Sequence, residues 1–168
     1  GMKQDSIQGD TGFVSLMMNM GCESRWNNEG AYLSRDPHMA LQGLSVDLKD
    51  MSDLVPTVVA VALFAQGPST ITGVGFIRNK ESDRLGDLAK ELHKCGAKVS
   101  VLDDGLEISP HPLHGATLAT HHDHRLAMAF GLVALQVPEV LVEEPDVVSK
   151  SWPMYWEVRE QMLRSCRE

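Results

Sequence analysis

The segment Arg78-Asn79-Lys80-Glu81-Ser82-Asp83-Arg84 connects the two patterns that decide the fold of this chain. It follows an apolar run over residues 71–77 and precedes a stretch with apolar residues at helical spacing, which ends at Gly96. A strand followed by an amphipathic helix is therefore predicted, with Lys80 and Arg84 on the first turns of the helix. Cations there oppose the helix dipole, and helix N-termini bind phosphates and carboxylates. The segment indicates either an anion site or a solvated face with ion pairs.

The composition is that of an ordinary globular protein. The chain has 168 residues, of which 43% are hydrophobic and 23% are charged, so it can bury a sizeable core. A net charge of −8 argues against broad affinity for nucleic acid or membranes, but not against a small anionic ligand. Cys22, Cys95 and Cys166 lack metal-binding spacing, which favours reduced thiols and a cytoplasmic location. Residues 1–5, with Gly1 before Met2, are interpreted as a tag remnant and leader.

The rest of the chain contains an internal repeat. A set of residues recurs at nearly constant offset: Gly21, Gly30 and Ser34 are repeated 75 residues later, and Gly43, Ala62 and Leu63 are repeated 72 residues later. Each copy predicts a helix, a hairpin, a strand, a second helix and a second strand. The copies span about 6–75 and 76–152, and a C-terminal helix covers about 153–164. Two such units predict an α/β fold in which helices pack against sheets.

Turn signals and apolar patterns give the approximate bounds of the elements. In the first copy they predict a helix capped by Asp10-Thr11 and ended by Gly21, a hairpin turning at residues 27–30, a strand near 44–48, a buried helix over 54–65 and a strand over 70–74. In the second copy they predict a hairpin turning at 103–105, a strand over 116–120, a buried helix over 126–135, a strand over 139–142 and a last helix over 154–163.

Charged residues stand at equivalent places in the two copies. Asp53 opens the buried helix of the first copy, and Arg125, 72 residues later, opens that of the second. Glu81 and Arg84 open the amphipathic helix, and Lys150 lies in a loop after the last strand. Charges at the mouths of apolar helices are costly unless they are paired or liganded. Together these residues predict one anion-handling, acid–base site, although each alone also fits a structural role, such as a helix cap for Asp53.

The group His121, His122, Asp123 and His124 has residue types that bind metals. No second cluster of Cys, His or carboxylate in the sequence completes such a site, and neutral histidines near a helix start are common. A metal site is therefore not predicted.

Five segments resemble the 5-enolpyruvylshikimate-3-phosphate synthase (3-phosphoshikimate 1-carboxyvinyltransferase) family, in its order and spacing. The segments are Ser6–Thr11, Met51–Asp53, Asn79–Arg84, Asp123–Ala129 and Ser149–Pro153. Lys-Glu-Ser-Asp-Arg together with Asp-His-Arg is specific to this family among enolpyruvyl transferases. The resemblance implies a fold of two similar domains, each built from three βαβαββ units. Residues 6–168 would be a partial C-terminal domain with about two of these units, and the N-terminal domain would be absent.

The resemblance also implies an activity and the residues that carry it. Enolpyruvyl would be transferred from phosphoenolpyruvate to the 5-hydroxyl of shikimate 3-phosphate, without a metal or organic cofactor. The implied residues are Asp53 as base and Glu81 as proton donor and acceptor, with Lys80, Arg84, Asp123, His124, Arg125 and Lys150 as substrate-binding residues. The missing N-terminal domain would be the protein partner. Two alternatives are a non-catalytic truncated domain that binds anions weakly and a relative that acts on UDP-N-acetylglucosamine.

Overall fold

The computed structural model describes residues 3–165, which contain five α-helices and eight β-strands. The helices are α1 (Phe13–Asn19), α2 (Val55–Ala62), α3 (Gly86–Lys94), α4 (His124–Gln136) and α5 (Tyr155–Ser165). The strands are β1 (Glu23–Asn27), β2 (Gly30–Ser34), β3 (Ser45–Asp47), β4 (Ser69–Thr72), β5 (Lys98–Leu102), β6 (Gly105–Ser109), β7 (Thr117–Leu118) and β8 (Leu141–Val142). Short 3-10 helices cover Gly9–Gly12, Lys49–Leu54, Gly75–Asn79 and Pro145–Lys150. The predicted tag remnant at Gly1 and Met2, and the Cys166 thiol, lie outside the described residues.

The elements follow the same order in both halves of the chain, from α1 to β4 and from α3 to β8. In each half a hairpin pairs antiparallel, as β1 with β2 and β5 with β6. In each half the strands on either side of a buried helix pair in parallel, as β3 with β4 and β7 with β8. The predicted α/β fold is therefore confirmed. The internal repeat also predicts that the two halves superpose closely, and this stays a prediction.

The two halves share a four-stranded sheet with the strand order β3-β4-β6-β5. Within it, the hairpin of the second half adds antiparallel to β4 of the first half, so that Ile71 lies opposite Leu106. Both side chains are fully buried. The apolar faces of the two halves consequently form one continuous core and not two separate ones.

Helices α2 and α4 pack against each other in the middle of this core. Val58 and Val59 on α2 are fully buried, as are Leu126 and Phe130 on α4. Each large apolar side chain buried in this way stabilises the fold by about 1.5–3 kcal/mol. Although both helices are apolar, no helix within residues 3–165 is long and apolar enough to span a membrane. Because α2 and α4 are neighbours, the residues at their N-terminal ends can meet.

The start of α3 differs from the sequence prediction. The Asp83 carboxylate accepts the backbone N–H groups of Leu85 and Gly86, at 3.2 and 2.9 Å. Such an Asp side chain stabilises a turn and competes with helix formation before it. The helix therefore begins at Gly86, and the prediction that Lys80 and Arg84 lie on its first turns is wrong.

The predicted cap of the first helix is also wrong, and the alternative role of Asp53 as a helix cap is not observed, whereas α4 has a side-chain cap. Asp10-Thr11 lies inside the 3-10 helix that precedes α1, whose N-cap is Gly12 without a side-chain bond. Asp53 lies inside the neighbouring 3-10 segment, which ends at Leu54, and it does not cap α2. At α4, Asp123 is the N-cap, and its carboxylate accepts the backbone N–H of Arg125.

Candidate active site

Four separate segments bring charged side chains together beside the N-terminal ends of α2 and α4. They are the end of the 3-10 helix before α2, the loop before α3, the first turn of α4 and the 3-10 helix after β8. The side chains that contact one another there are Asp53, Glu81, Arg84, Asp123, His124, Arg125 and Lys150. We call these seven residues the charged cluster. The prediction that Asp53, Glu81, Arg84, Arg125 and Lys150 lie at one site agrees with these contacts.

Arg84 is a buried member of the cluster and lies between two carboxylates. Its Nε donates to Asp123 Oδ2 at 2.7 Å, and its Nη1 donates to Asp53 Oδ1 at 2.8 Å. The Arg84 side chain is only 3% exposed, and Asp123 is fully buried. A buried guanidinium is costly unless carboxylates pair with it, so the two contacts explain how the fold tolerates this charge.

Asp123 connects the loop before α3 to the start of α4. Besides Arg84, its carboxylate accepts the backbone N–H of Arg125 at 2.8 Å and the Ser82 hydroxyl at 3.2 Å. Burial works to raise its pKa, but the bonds from Arg84 and Arg125 outweigh burial and hold the pKa below its ordinary value. Asp123 has no exposed surface to offer a ligand. It therefore lies behind Arg84 and supports it, which differs from the substrate contact that the resemblance implies.

Asp53 bridges the two arginines of the cluster. While its Oδ1 accepts from Arg84, its Oδ2 accepts from Arg125 Nη2 at 2.8 Å. Arg125 Nη1 also donates to the Asp53 backbone carbonyl, at 3.2 Å. The side chains of Asp53 and Arg125 are 39% and 30% exposed, so a solvent molecule or small anion can reach this part of the cluster.

Glu81 is, with Asp53, the second partly exposed carboxylate of the cluster. Its Oε2 accepts from Lys150 Nζ at 2.7 Å and lies 3.0 Å from His124 Nδ1. Burial works to raise the pKa of Glu81, but the hydrogen bonds with Lys150 and His124 outweigh it and lower the pKa. Glu81 and Lys150 are 38% and 48% exposed, so this pair also faces solvent. Without a ligand, Glu81 is therefore a carboxylate at neutral pH.

Lys80 does not join the cluster. Its Nζ lies 6.0 Å from the centre of the Phe76 ring, and its side chain is exposed. In the part of the chain that the structure describes, it makes no hydrogen bond to a cluster residue. Lys80 therefore lies over the Phe76 ring, and its exposed side chain can turn from there towards a ligand.

Three cluster residues have the spacing of a metal site. Potential ligand atoms of Glu81, Asp123 and His124 lie within 4.8 Å of one another. However, Glu81 already accepts from Lys150, and Asp123 already accepts from Arg84. A divalent cation would have to displace both positive side chains, so the arrangement fits ion pairing within the protein better than metal binding.

A sequence model of the family "EPSP synthase (3-phosphoshikimate 1-carboxyvinyltransferase)" matches residues 1–158. The chain belongs to the EPSP synthase family. Curated relatives named 3-phosphoshikimate 1-carboxyvinyltransferase include that of Methanosphaerula palustris, 41% identical over 155 residues, and that of Nostoc punctiforme, 38% identical over 162 residues. These matches cover 92% and 96% of this chain but 36% and 38% of the relatives. The chain thus spans little more than a third of the length of these EPSP synthases.

Solved structures show that the fold is shared. An EPSP synthase from Acinetobacter baumannii matches with a TM-score of 0.76 and 24% identity, over 90% of this chain and 38% of that one. The enolpyruvyl transferase NikO from Streptomyces tendae matches with a TM-score of 0.71 and 20% identity, over 90% and 34%. At these identities the structures indicate the fold alone. They support the assignment of residues 3–165 to an EPSP-synthase-like α/β architecture.

Sequence reasoning missed two polar residues that support the cluster in this member of the EPSP synthase family. The Ser82 hydroxyl donates to Asp123, and Ser82 was noticed only as part of a motif. Glu91 on α3 is 1% exposed, and the sequence analysis does not single it out. The signal for Glu91 was its position: it lies three residues after Leu88 and one before Leu92, both of which are buried.

Proposed function

We propose that this chain forms the acid–base and phosphoenolpyruvate-binding part of a 3-phosphoshikimate 1-carboxyvinyltransferase. The observation that carries the proposal is the charged cluster. In it the partly exposed carboxylates of Asp53 and Glu81 are each paired with a positively charged side chain, and such side chains also bind anions. The names of the relatives support the same reaction. We further propose that the substrates are phosphoenolpyruvate and shikimate 3-phosphate, and that the protein acts in the cytoplasm, where thiols such as Cys22 and Cys95 stay reduced.

The proposed reaction adds one bond and then breaks another. The 5-hydroxyl of shikimate 3-phosphate attacks C2 of phosphoenolpyruvate and loses its proton, while C3 gains a proton and becomes a methyl group. In the second step C3 loses a proton, the C2–C3 double bond forms again, and the bond from C2 to the phosphate oxygen breaks. Phosphate leaves with the electrons of that bond. The reaction balances through proton transfers alone, so the proposal includes no metal or organic cofactor.

We assign the two proton transfers to the two exposed carboxylates. Asp53 is the base for the 5-hydroxyl, and Glu81 gives a proton to C3 and later takes one back. Both groups begin as paired carboxylates, and Glu81 must lose a positive partner before it can take a proton readily. For Glu81 the partner is Lys150, whose hydrogen bond lowers the Glu81 pKa. When Lys150 turns from Glu81 to the substrate, the pKa of Glu81 rises, and the residue can hold the proton that C3 needs.

Binding of phosphoenolpyruvate would cause the carboxylates to lose their positive partners. Its phosphate and carboxylate compete with Asp53 and Glu81 for Arg125 and Lys150, both of which have exposed surface. Guanidinium groups bind such oxyanions through two hydrogen bonds, whereas lysine contributes a point charge. In this proposal Lys80 binds the shikimate side. Arg84 and His124, whose side chains are only 3% and 10% exposed, contribute by contacting Asp53 and Glu81. Binding of the anion would thus release the carboxylates for proton transfer.

We propose that another domain of the full enzyme forms the opposite wall of the site. The partial exposure of the Asp53, Glu81 and Lys150 side chains supports this proposal. Correct positioning of two reactants accounts for about 7–11 kcal/mol of a barrier, and closure also excludes water. The chain alone should therefore bind phosphoenolpyruvate with about millimolar affinity, near −4 kcal/mol, and turn it over very slowly.

The test is the release of phosphate from phosphoenolpyruvate and shikimate 3-phosphate. The chain is assayed alone and with the separately produced N-terminal domain of an EPSP synthase, and we expect activity only in the mixture. Asp53→Asn and Glu81→Gln should abolish the restored activity. The matched controls are Asp103→Asn and Glu107→Gln, which change exposed hairpin residues and should leave activity unchanged. Full turnover by the chain alone would contradict the need for a second wall, and unchanged activity of both site variants would contradict the assigned roles.

The same assay separates the two alternatives. A non-catalytic anion-binding domain would bind phosphoenolpyruvate in an NMR titration but release no phosphate in any mixture. An enzyme for UDP-N-acetylglucosamine would release phosphate with that acceptor and not with shikimate 3-phosphate. The partial exposure of Arg125 and Lys150 fits weak anion binding in either case, so only the acceptor dependence decides between them.

A further inference from the structure

A second polar contact joins α3 to the turn before α4. Glu91 on α3 is 1% exposed, and its carboxylate accepts the backbone N–H of Ala119 at 2.7 Å. The same carboxylate lies 3.1 Å from His121 Nε2 and accepts from Lys94 Nζ. On the other side of the imidazole ring, Asp87 Oδ1 is 3.6 Å from His121 Nδ1. Glu91 therefore links the turn before α4 to α3, the helix that follows the loop with Glu81 and Arg84.

The turn that Glu91 contacts has an unfavourable backbone conformation. His121 and His122 have φ values of 51° and 59°, in the left-handed region that residues with a Cβ seldom adopt. Two such residues in succession persist only where the surroundings hold them. The backbone N–H of Asp123 closes the turn by donating to the Thr120 carbonyl at 2.9 Å. The conformation of this turn thus determines where α4 begins and where Arg125 points.

The buried carboxylate at position 91 has specific polar partners in the turn before α4. Leu88 and Leu92 on the same helix are buried, and a similar apolar side chain at position 91 would bury no charge. Such a residue would leave the Ala119 N–H without its acceptor and His121 without its partner. Burial works against the charged form of Glu91, but Lys94, Ala119 and His121 outweigh it and lower the pKa. The Glu91 carboxylate is therefore charged and fully engaged with the turn.

We propose that Glu91 is a positioning residue that holds the His121–His122 turn and thereby fixes Asp123 and Arg125 for anion binding. The idea rests on the proposed function, because it assigns the anion site to Arg125 and its neighbours. Glu91 contacts no cluster residue in the described part of the chain and acts through the backbone N–H of Ala119 and the side chain of His121. Its effect should accordingly be confined to the residues that follow the turn.

Three variants separate this role from general stability. Glu91→Gln keeps an acceptor for the Ala119 N–H but loses the charge. Glu91→Leu removes every polar contact, whereas Lys94→Ala removes the ion pair and leaves the contacts of Glu91 with the turn intact. Two readouts are compared: amide hydrogen exchange at Asp123 and Arg125 relative to α2, and an NMR titration with phosphoenolpyruvate.

We expect exchange at Asp123 and Arg125 to accelerate in Glu91→Leu, with exchange in α2 unchanged. Phosphoenolpyruvate should bind about tenfold more weakly to Glu91→Leu, which loses the contacts with Ala119 and His121. It should bind about threefold more weakly to Glu91→Gln, which keeps an acceptor, and within about twofold of wild type to Lys94→Ala, which keeps both contacts with the turn. A folded Glu91→Leu chain that matches wild type in both readouts would overturn the proposal. If that variant does not fold, the same result for Glu91→Gln would do so.

Failure of the proposed function would look different. If the wild-type chain shows no saturable change with phosphoenolpyruvate, the anion site itself is wrong, and exchange at Asp123 and Arg125 then decides the positioning role alone. Equal acceleration of exchange in α2 and in the turn would show a general loss of stability and would overturn that role as well.

Discussion

Replacement of Asp123 by Asn should destabilise the chain by leaving Arg84 without its buried partner. Asp123 is fully buried and accepts from Arg84 Nε at 2.7 Å and from the Arg125 N–H at 2.8 Å. Asn has one acceptor oxygen, so it can serve one of these donors, and its amide group then faces the other. Loss of one partner of a buried ion pair costs about 3–5 kcal/mol. Because Arg84 keeps its contact with Asp53, we expect a loss of about 3 kcal/mol, the lower end of that range.

The magnitude can be resolved further with two more variants. Asp123→Ala also removes the N-cap of α4, which is worth about 1 kcal/mol more. Combining Asp123→Asn with Arg84→Met removes the stranded charge and should recover part of the loss, because an apolar side chain at a buried site needs no partner. The exposed turn variant Asp103→Asn is the control and should have no measurable effect.

Equilibrium unfolding in urea, followed by far-UV circular dichroism and tryptophan fluorescence, measures these differences. A typical domain has about 5–15 kcal/mol of stability, so a loss of 3 kcal/mol leaves a folded population to measure. If Asp123→Asn unfolds within 1 kcal/mol of wild type, the Asp123–Arg84 pair does not hold the loop before α3 to α4. If the double variant is as unstable as Asp123→Asn, the loss does not come from a stranded charge.

Three further predictions follow from the site and the core. Folding lowers the pKa values of Glu81, Glu91 and Asp123, so these groups stabilise the fold fully above the ordinary pKa values of 4.5 for Glu and 3.8 for Asp. This stabilisation is lost as the pH falls through the lower pKa values of the folded state. Urea unfolding at a series of pH values should show the loss, and Asp123→Asn should make the pH dependence shallower. Lys150→Ala should raise the pKa of Glu81 in a carboxyl ¹³C NMR titration, and an unchanged pKa would rule out their hydrogen bond in solution. Phe130→Ala should cost about 3–5 kcal/mol of the free energy of unfolding, since the ring is fully buried between α4 and its neighbours; a loss below 1 kcal/mol in the urea experiment would contradict this packing.

Local signals in the sequence were sufficient for most of the fold. The hairpin turns were predictable from Gly30 and Gly105, which end two polar turns, and the end of α3 from Gly96, whose φ of 87° suits glycine. The length and apolar character of α2 and α4 indicated buried helices. Where local signals competed, the prediction failed: the side chain of Asp83 moved the start of α3 to Gly86.

The sequence also identified the residue types of the site through the family motifs, but it assigned them equal access to a ligand. In the structure Arg84 and Asp123 are buried, Lys150 and Asp53 are partly exposed, and Lys80 stands apart from the cluster. Exposure depends on which distant segments pack over a side chain. Neither the motif nor its spacing contains that information.

By itself, then, the sequence determined the α/β class, the order of the elements, the family and the chemical types at the site, because these depend on neighbouring residues and on short motifs. Only the tertiary structure decided that Asp53 and Arg125, which are 72 residues apart, share two hydrogen bonds, and that the Glu91 carboxylate accepts the backbone N–H of Ala119 before α4. Such contacts depend on the packing of α2 beside α4 and of α3 against β7. A displacement of about 1 Å there would break hydrogen bonds whose donor–acceptor distances span only about 0.5 Å.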